Sequence, residues 1–259
     1  MKLLNLNIGV KIDNNNGVID LIKNDCYDIL TLQESMRKLD DNVKSPFDSC
    51  NVIKNQTKYE NNFFGALWIA KQHRKNGTIA RDFGGYVEQG NQLLTNLPII
   101  KSRNVFYYKE YSNFEDTTNF REDDHPRAFT DVIVKIGDKQ LQIINVHGTW
   151  NKDKTGNKRT KIQTKAILEN VRYDIPCIVV GDFNLLPDTQ EIKSLSSKMD
   201  NLIERFNIKS TRPEFDDGLD KGNMVCDYIF VNNKVKVNNF SVINSNVSDH
   251  LPLILDFDI

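Results

Sequence analysis

Carboxylate, amide and imidazole side chains recur where short apolar runs of this sequence end or begin. The set is rich in oxygen donors, includes histidine and lacks cysteine: Asn7, Glu34, His147, Asp182, Asn184, Asp227, Asp249 and His250. Oxygen donors of this kind suit Mg²⁺ or Mn²⁺ better than zinc. A divalent cation beside carboxylates and imidazoles indicates metal-assisted attack of water on a phosphorus centre, in which the cation neutralises phosphate charge and a carboxylate activates the water.

The stretch 176–184 shows the pattern most clearly. The apolar run 178–180 predicts a short strand that is buried on both faces, and Gly181 ends it directly before Asp182 and Asn184. Polar groups at the carboxyl end of a buried strand in an open α/β sheet lie where ligands commonly bind. An Asx-type turn that only closes the strand is the alternative interpretation.

Other predicted strands also deliver polar side chains at their ends. Residues 2–8 and 28–33 predict strands on either side of a helix-like segment at 17–26, which is typical of a parallel crossover. The clearest hairpin joins residues 127–136 to 139–147 through a two-residue turn, and its second strand ends at His147.

The remaining elements follow from shorter patterns. Strands are predicted at 62–72, 92–95, 99–108, 225–231, 234–242 and 251–257, and a helix from about residue 157 to 172. A capping box at 188–191 predicts the start of a short helix, whereas residues 35–62 are polar and poorly periodic.

Asp227 stands inside a predicted strand, where an unpaired buried carboxylate would be costly. A partner is therefore expected, and His250 is the candidate. A neighbouring carboxylate would fix the tautomer of the imidazole and favour its charged form.

Length and composition exclude several classes of protein. The 259 residues are 39% hydrophobic and 27% charged, which is ordinary for a soluble globular protein, and we expect a single domain over residues 1–259. A formal net charge of −1 gives no overall attraction to nucleic acid or to an anionic membrane. The 4 cysteines form no C-x-x-C pair, which argues against a thiolate zinc site.

No targeting or membrane segment is evident in the sequence. The apolar character of the first residues ends too soon for a signal peptide. No apolar run approaches the ~20 residues of a membrane span. We therefore expect a cytoplasmic protein, and we expect a monomer.

Two segments carry contrasting charge. Residues 152–165 are rich in lysine and arginine, which is typical of a solvated helix face or of an attractive rim for phosphate. Residues 110–126 mix aromatic with acidic residues and predict a long surface loop, either solvated or in contact with substrate. Residues 211–224 predict another loop, and His73 and His125 match no motif and are expected at the surface.

Six short motifs occur in an order that resembles the endonuclease/exonuclease/phosphatase superfamily. They are Leu6-Asn7, Gln33-Glu34, Asn145-Val146-His147, Gly181-Asp182-Phe183-Asn184, Asp227-Tyr228-Ile229-Phe230 and Ser248-Asp249-His250. Each motif is short, but all six in this order and in the expected strand context are specific, and they cover nearly the whole chain. The resemblance implies an α/β fold of the DNase-I-like kind, a four-layer α/β sandwich in which two mixed β-sheets pack face to face with helices outside.

The resemblance also implies a role for each matching residue. Glu34 is the principal ligand expected for Mg²⁺ or Mn²⁺, with Asn7 and Asp249 as direct or water-mediated metal contacts. Asp182 is expected to activate or orient the attacking water, and Asn184 to position the water and the phosphate.

The remaining roles concern the phosphate itself. His250 is expected to contact the scissile phosphate, with Asp227 as its orienting partner. His147 is expected to bind a phosphate oxygen or to assist the leaving group. Arg127 is expected to face the phosphate, and an ordinary surface salt bridge is the alternative for this residue.

These roles predict a divalent-metal-dependent phosphoesterase, but a shared fold does not choose its substrate. A DNA enzyme should offer a basic groove, and only residues 152–165 provide basic charge, opposed by the acidic 110–126 segment. A membrane enzyme should show an exposed amphipathic segment, and none is evident. A small or medium phosphodiester or phosphomonoester is therefore preferred, and a DNA or RNA endonuclease or exonuclease is the alternative.

A hypothesis of another class is a non-catalytic phosphate-ligand binding module on the same fold. Such a module should have lost one or more of the metal-binding or water-positioning residues. The retention of all of them in this sequence favours an enzyme.

Overall fold

Two mixed β-sheets carry the polar strand ends in the computed structural model, which describes residues 1–9, 15–75, 78–113, 125–213 and 224–259. The strands are β1 (Lys2–Asn7), β2 (Ile29–Lys38), β3 (Asn61–Lys75), β4 (Thr78–Thr95), β5 (Ile99–Tyr108), β6 (Ser112–Asn113), β7 (Arg127–Ile136), β8 (Lys139–His147), β9 (Cys177–Asp182), β10 (Asp200–Asn201), β11 (Asp227–Val231), β12 (Lys236–Val242) and β13 (Leu253–Asp258). Within the described ranges, the first sheet has 7 strands in the order β12-β13-β1-β2-β4-β3-β6, and the second has 6 in the order β10-β11-β9-β8-β7-β5.

Helices cover the outer faces of both sheets. They are α1 (Asn15–Lys23), α2 (Ser49–Gln56), α3 (Lys158–Asn170), α4 (Gln190–Ser196) and α5 (Leu202–Arg205), and Ser45–Phe47 form a 3-10 turn. On the first sheet, Ile19 of α1 and Ile53 of α2 pack against Leu4 and Leu32. On the second sheet, Ile167 of α3 joins the core and α4 contacts α3. The predicted four-layer α/β sandwich is confirmed.

The main core lies between the two sheets. Strands β1 and β2 of the first sheet contact β9 and β8 of the second. Leu3 and Ile29 belong to the same buried cluster as Phe129, Ile143 and Val180. The two sheets therefore pack face to face through apolar side chains, as the resemblance implies.

The inner face becomes polar toward the carboxyl ends of the parallel strands. Alternate residues of a strand share a face, so Leu3, Asn5 and Asn7 of β1 all point between the sheets. Gln33 Nε2 donates to Asn5 Oδ1 at 2.8 Å and, across the interface, to Asn145 Oδ1 at 2.6 Å. A buried layer of amides thus separates the apolar core from the polar strand ends.

Several predicted elements are confirmed. β1 and β2 pair in parallel around α1, and β7 and β8 form the predicted antiparallel hairpin. α3 begins where predicted, because the Asn157 side chain accepts from the backbone of Arg159 and Thr160 while Thr160 Oγ1 accepts from Asn157 N at 2.7 Å. This reciprocal pair is a capping box.

Other predicted elements are wrong in extent or in kind. The strands expected at 62–72 and 92–95 are parts of the long β3–β4 hairpin, and the poorly periodic stretch 35–62 contains the end of β2 and all of α2. No capping box forms at 188–191, because Thr189 precedes α4 without a side-chain cap bond. The Glu191 carboxylate instead accepts from Thr160 Oγ1 at 2.8 Å, which ties α4 to α3.

The two unassigned histidines are partly buried rather than at the surface. The His73 ring packs between Trp68 and Phe83, with ring centroids 5.0 and 4.9 Å apart, and His125 lies 6.1 Å from Trp68. Burial lowers the pKa of His73 to about 4, so this imidazole is neutral at pH 7.

Most of the two predicted loops at 110–126 and 211–224 lies outside the described residues, since residues 114–124 and 214–223 are not among them. Among the described helices, none combines the length and apolar character needed to cross a bilayer.

Candidate active site at the ends of the parallel strands

Strand register brings the predicted side chains to one edge of the sandwich. In the first sheet Asn7 lies opposite Gln33 across the parallel β1–β2 pair. In the second sheet Asp182 lies opposite both His147 of β8 and Asp227 of β11. Because carboxyl ends of parallel strands meet at one edge, residues far apart in sequence share one site.

Asp182 accepts hydrogen bonds on both of its carboxylate oxygens. Its Oδ1 accepts from Asn184 N at 2.8 Å, and its Oδ2 accepts from Asn184 Nδ2 and Asn7 Nδ2, each at 3.1 Å. Burial alone would raise the pKa of Asp182. His250, His147, Arg212 and Lys154 outweigh it and hold that pKa well below its usual range. Asp182 is therefore ionised at neutral pH.

Asp227 and His250 form the predicted pair. His250 Nδ1 donates to Asp227 Oδ1 at 2.8 Å, and Thr211 Oγ1 donates to Asp227 Oδ2 at 2.7 Å. Burial lowers the pKa of His250, but the Asp227 and Asp182 carboxylates outweigh it and the pKa is raised. The other ring nitrogen, Nε2, lies 3.6 Å from Asp182 Oδ2, so the imidazolium stands between two carboxylates.

Glu34 reaches the site through an irregularity of β2. Its φ of 58° is left-handed, and the β2–β4 register shifts between Leu32 and Ser35, which marks a bulge. In a regular strand Glu34 would face away from Gln33 and toward α1 and α2. The bulge turns its carboxylate inward, where Oε1 accepts from Asn7 Nδ2 at 3.3 Å.

His147 is a neutral histidine of the site. Its Nε2 lies 3.6 Å from Glu34 Oε1 and 4.0 Å from Asp182 Oδ2. Burial and the nearby Arg127 guanidinium lower the pKa of His147 to about 3, so neither contact is an ion pair at pH 7. Its Nδ1 is buried and has no hydrogen-bond partner among the described residues.

Arg127 is buried rather than part of a surface salt bridge, so that alternative interpretation is wrong. Only 6% of the residue is exposed, and none of the described residues forms an ion pair or a hydrogen bond with its guanidinium. Burial lowers its pKa, while Tyr107, Glu34 and Asp182 act in the opposite direction. A buried cation of this kind is suited to an anionic ligand.

Asp249 lies at the rim of the site and is held by an arginine. Arg212 Nη1 donates to both the backbone oxygen and Oδ2 of Asp249, each at 2.9 Å. The neighbouring Ser248 Oγ donates to Asn7 O at 2.7 Å, which joins this turn to the end of β1. Asp249 thus lies next to the end of β1, and its charge acts on Glu34.

Two groups of side chains have donors suited to a divalent cation. Ligand atoms of Asp182, Asp227 and His250 lie within 4.8 Å of one another. Asp227 and His250 already bind each other through Nδ1, so a cation there would displace a strong hydrogen bond.

Glu34, Asn7 and Asp249 form the group that the resemblance implies as metal ligands. Burial and the adjacent Asp249 charge both raise the pKa of Glu34. The positively charged groups of the protein near Glu34 do not offset these two effects. A hard divalent cation held by the Glu34 and Asp249 carboxylates would supply that charge, so these oxygen donors fit Mg²⁺ or Mn²⁺, while the Asn7 atom that faces Glu34 is the Nδ2 donor.

Sequence reasoning missed two cations of the site. Lys154 belongs to the stretch 152–165, which was expected to be a solvated helix face or a phosphate rim. It is buried, and its Nζ donates to Asn184 Oδ1. Arg212 lies in a predicted loop, yet it is buried beside Asp249. Neither residue follows an apolar run, so no periodic signal marks them.

A sequence model of the endonuclease/exonuclease/phosphatase family matches residues 4–250 of the chain. No curated protein sequence matches the chain significantly.

Solved structures with the same fold cover the whole chain. An endonuclease/exonuclease/phosphatase from Beutenbergia cavernae has a TM-score of 0.75 and 14% identity, covering 100% of this chain and 71% of that one. A mannosyl-6-phosphatase from Bacteroides thetaiotaomicron has a TM-score of 0.68 and 14% identity, with 100% of both chains covered. The human Nocturnin catalytic domain with bound sulfate has a TM-score of 0.67 and 20% identity, covering 100% of this chain and 94% of that one. Similarity at these identities establishes the fold alone.

Proposed function

The chain belongs to the endonuclease/exonuclease/phosphatase family, and we propose that it is a divalent-metal-dependent phosphoesterase that hydrolyses a phosphodiester or phosphomonoester by attack of water. One observation carries the proposal: the side chains of Glu34, Asp182 and His250 form a single cluster, in which Asp182 and His250 are buried and Glu34 is half-buried. His147 Nε2 and Asn7 Nδ2 bridge Glu34 to Asp182, and His250 Nε2 lies 3.6 Å from Asp182 Oδ2.

Asp182 orients the attacking water. Its carboxylate is ionised and fixed by Asn184 and Asn7, so a water hydrogen-bonded to it has a defined direction of attack. The same carboxylate accepts the proton that the water loses as it attacks phosphorus.

His250 and Arg127 stabilise the negative charge of the phosphoryl group. Asp227 holds His250 protonated and oriented, so that Nε2–H donates to a phosphoryl oxygen. The buried Arg127 guanidinium supplies a second set of donors. The neutral His147 binds a phosphate oxygen or faces the leaving group, and Asn184 holds the phosphate beside the water.

Glu34, Asn7 and Asp249 would hold Mg²⁺ or Mn²⁺, which supplies Lewis-acid stabilisation of phosphate charge when bound.

A small phosphate ester is the preferred substrate class. Lys152, Lys158, Lys161 and Lys165 are exposed, but the most buried lysine of this stretch, Lys154, is engaged with Asn184. The exposed lysines of this stretch therefore lie on its outer surface, and of its other cations Arg159 is half-buried and acts on Arg127.

The testing experiment compares hydrolysis in Mg²⁺ and in EDTA. An activated aryl phosphodiester, an aryl phosphomonoester, sugar phosphates, inositol phosphates, phospholipids, DNA and RNA are assayed with the wild-type protein and with His250→Gln. We expect Mg²⁺-dependent hydrolysis of a small ester, abolished by EDTA and lowered by about 10²- to 10⁴-fold in the variant.

Each contrary result removes a different part of the proposal. Equal rates in EDTA and in Mg²⁺ would show that the reaction does not need a metal. Faster cleavage of DNA or RNA than of every small ester would show that the protein is a nuclease. Phosphate-ester binding without any hydrolysis would favour the non-catalytic binding module.

A further inference from the structure

Lys154 is a buried cation beside the residue that positions the attacking water. Only 6% of Lys154 is exposed, and its Nζ donates to Asn184 Oδ1. The Trp150 ring lies 4.9 Å from the same Nζ and covers the ammonium group. Because lysine is seldom buried unless it is paired, its contact with the Asn184 amide is a specific one.

The backbone fixes the two residues against each other. Lys154 and Asn184 both have a left-handed φ of 56°. Leu186 N donates to Lys154 O at 3.0 Å, so the turn that carries Lys154 is docked on the segment that follows Asn184. Non-glycine residues keep such a conformation only where the surrounding structure determines it.

The Asn184 amide lies between a group that can only donate and a group that can only accept. An ammonium has no acceptor, and an ionised carboxylate has no donor. Oδ1 must therefore face Lys154, and Nδ2 must face Asp182 Oδ2 at 3.1 Å. The reversed amide would oppose two donors on one side and two acceptors on the other.

We propose that Lys154 is a positioning residue for the hydrolytic reaction: its ammonium locks the Asn184 amide in the orientation that holds the Asp182 carboxylate. The proposal rests on the proposed phosphoesterase function, since Asp182 is the group that directs the water. Lys154 acts through Asn184, so its loss should slow the chemical step rather than weaken substrate binding.

Two substitutions separate the effect of the Lys154 hydrogen bond from the effect of filling the space with a side chain of similar size. Lys154→Met removes the donor, and we expect kcat to fall by about 10- to 100-fold with KM changed by less than about threefold. Lys154→Gln keeps a donor without the charge, and we expect a smaller fall in kcat. Lys198→Met is the matched control, because Lys198 is exposed, and its kcat should equal that of the wild type.

A double-mutant cycle tests whether Lys154 works through Asn184. Asn184→Gly removes the amide while keeping a residue that tolerates positive φ. In that background Lys154→Met should lower kcat by less than about twofold. The full loss in both backgrounds, or an unchanged kcat in the single variant, would overturn the proposal.

A measurement without activity separates this proposal from the proposed function. The Asn184 side-chain NH₂ signals in a ¹H–¹⁵N spectrum, assigned by their absence in Asn184→Gly, should shift in Lys154→Met and remain in place in Lys198→Met. Unmoved signals would reject the positioning role even if no phosphate ester were hydrolysed. If Lys154→Met does not fold, kcat and the Asn184 NH₂ signals are measured in Lys154→Gln instead.

Discussion

The two carboxylates at the centre of the site differ in how the protein satisfies them. Asp182 accepts hydrogen bonds from Asn184 N, Asn184 Nδ2 and Asn7 Nδ2 at 2.8–3.1 Å, and neighbouring cations lower its pKa despite burial. Among the described residues Glu34 accepts one side-chain hydrogen bond, from Asn7 at 3.3 Å, and burial and Asp249 raise its pKa. The protein thus stabilises the charge of Asp182 strongly, whereas it stabilises the charge of Glu34 less.

This difference follows from where each residue stands in its sheet. Asp182 ends a regular strand between two others, opposite His147 and Asp227, so both neighbouring strands surround it with polar groups. Glu34 stands at a bulge, where a left-handed φ turns its carboxylate toward Asn7 and Asp249. We infer that the Asp182 side performs the proton chemistry and that the Glu34 side holds the metal.

Asp182→Asn should have the largest effect, because it removes the charge that we propose orients and deprotonates the attacking water. We expect kcat to fall by about 10³-fold or more, without recovery at high Mg²⁺. The measurement is the rate of hydrolysis of an activated aryl phosphodiester over a range of Mg²⁺ concentrations, with thermal unfolding as a check on the fold.

The matched control for this variant is Asp138→Asn. Asp138 is exposed in the turn of the β7–β8 hairpin, at the opposite end of β8 from His147. Its rate should equal that of the wild type. Normal turnover in Asp182→Asn would reject the assignment of proton chemistry to Asp182, because Asp182 would then have no part in the reaction.

The Asp182 side was the more predictable part of the site. The hairpin ending at His147 is where the sequence predicts it, whereas β9 does not stop at Gly181 but runs through it to Asp182, because both residues stay in register with β8; parallel pairing then brings the strand ends together. Asp227 was expected to have a partner because an unpaired buried carboxylate is costly, and His250 lies 2.8 Å from it.

The Glu34 side and the buried cations could not be predicted in the same way. The sequence places Glu34 directly after a strand, but β2 continues through it to Lys38, and only the bulge brings the carboxylate inward. Lys154 and Arg212 reach the site from loops whose paths depend on tertiary packing rather than on local periodicity.

Glu34→Gln should lower activity less than Asp182→Asn and in a different way. The amide keeps the size of the side chain but loses the charge, so metal affinity should fall. We expect a loss of about 10- to 100-fold at low Mg²⁺ that is partly recovered at high Mg²⁺. Activity titrated against Mg²⁺, with Mn²⁺ binding followed by calorimetry, measures both effects.

Glu169→Gln serves as the control for the Glu34 variant, because Glu169 is exposed on α3 and pairs with Lys165 at 3.7 Å, one helical turn away. Its Mg²⁺ dependence should be that of the wild type. If Glu34→Gln instead behaved like Asp182→Asn, with no response to added Mg²⁺, the division into a metal side and a proton side would be wrong.

The two sides are held together by Asn145, whose side chain crosses between the sheets. Its Oδ1 accepts from Gln33 Nε2 at 2.6 Å, and its Nδ2 donates to the backbone oxygens of Leu32 and Gln92, each at 3.1 Å. Gln33 directly precedes Glu34, and Asn145 lies on the same strand as His147. Movement of one sheet against the other would therefore separate Glu34 from the histidine.

Asn145→Leu should have the smallest effect on turnover and a clear effect on stability. Leucine has a similar size but leaves the Gln33 amide and the two backbone oxygens without this partner, so we expect the free energy of unfolding to fall by about 1–3 kcal/mol. Urea unfolding measures the change, and Gln140→Leu, on the exposed end of β8, should stay within about 0.5 kcal/mol of the wild type.

Because Gln33 still donates to Asn5 at 2.8 Å, the folded variant should retain Glu34 near its position and lose only about two- to fivefold in kcat, less than a substitution within the site. An Asn145→Leu protein as stable as the wild type would show that the apolar core alone fixes the two carboxylates relative to each other.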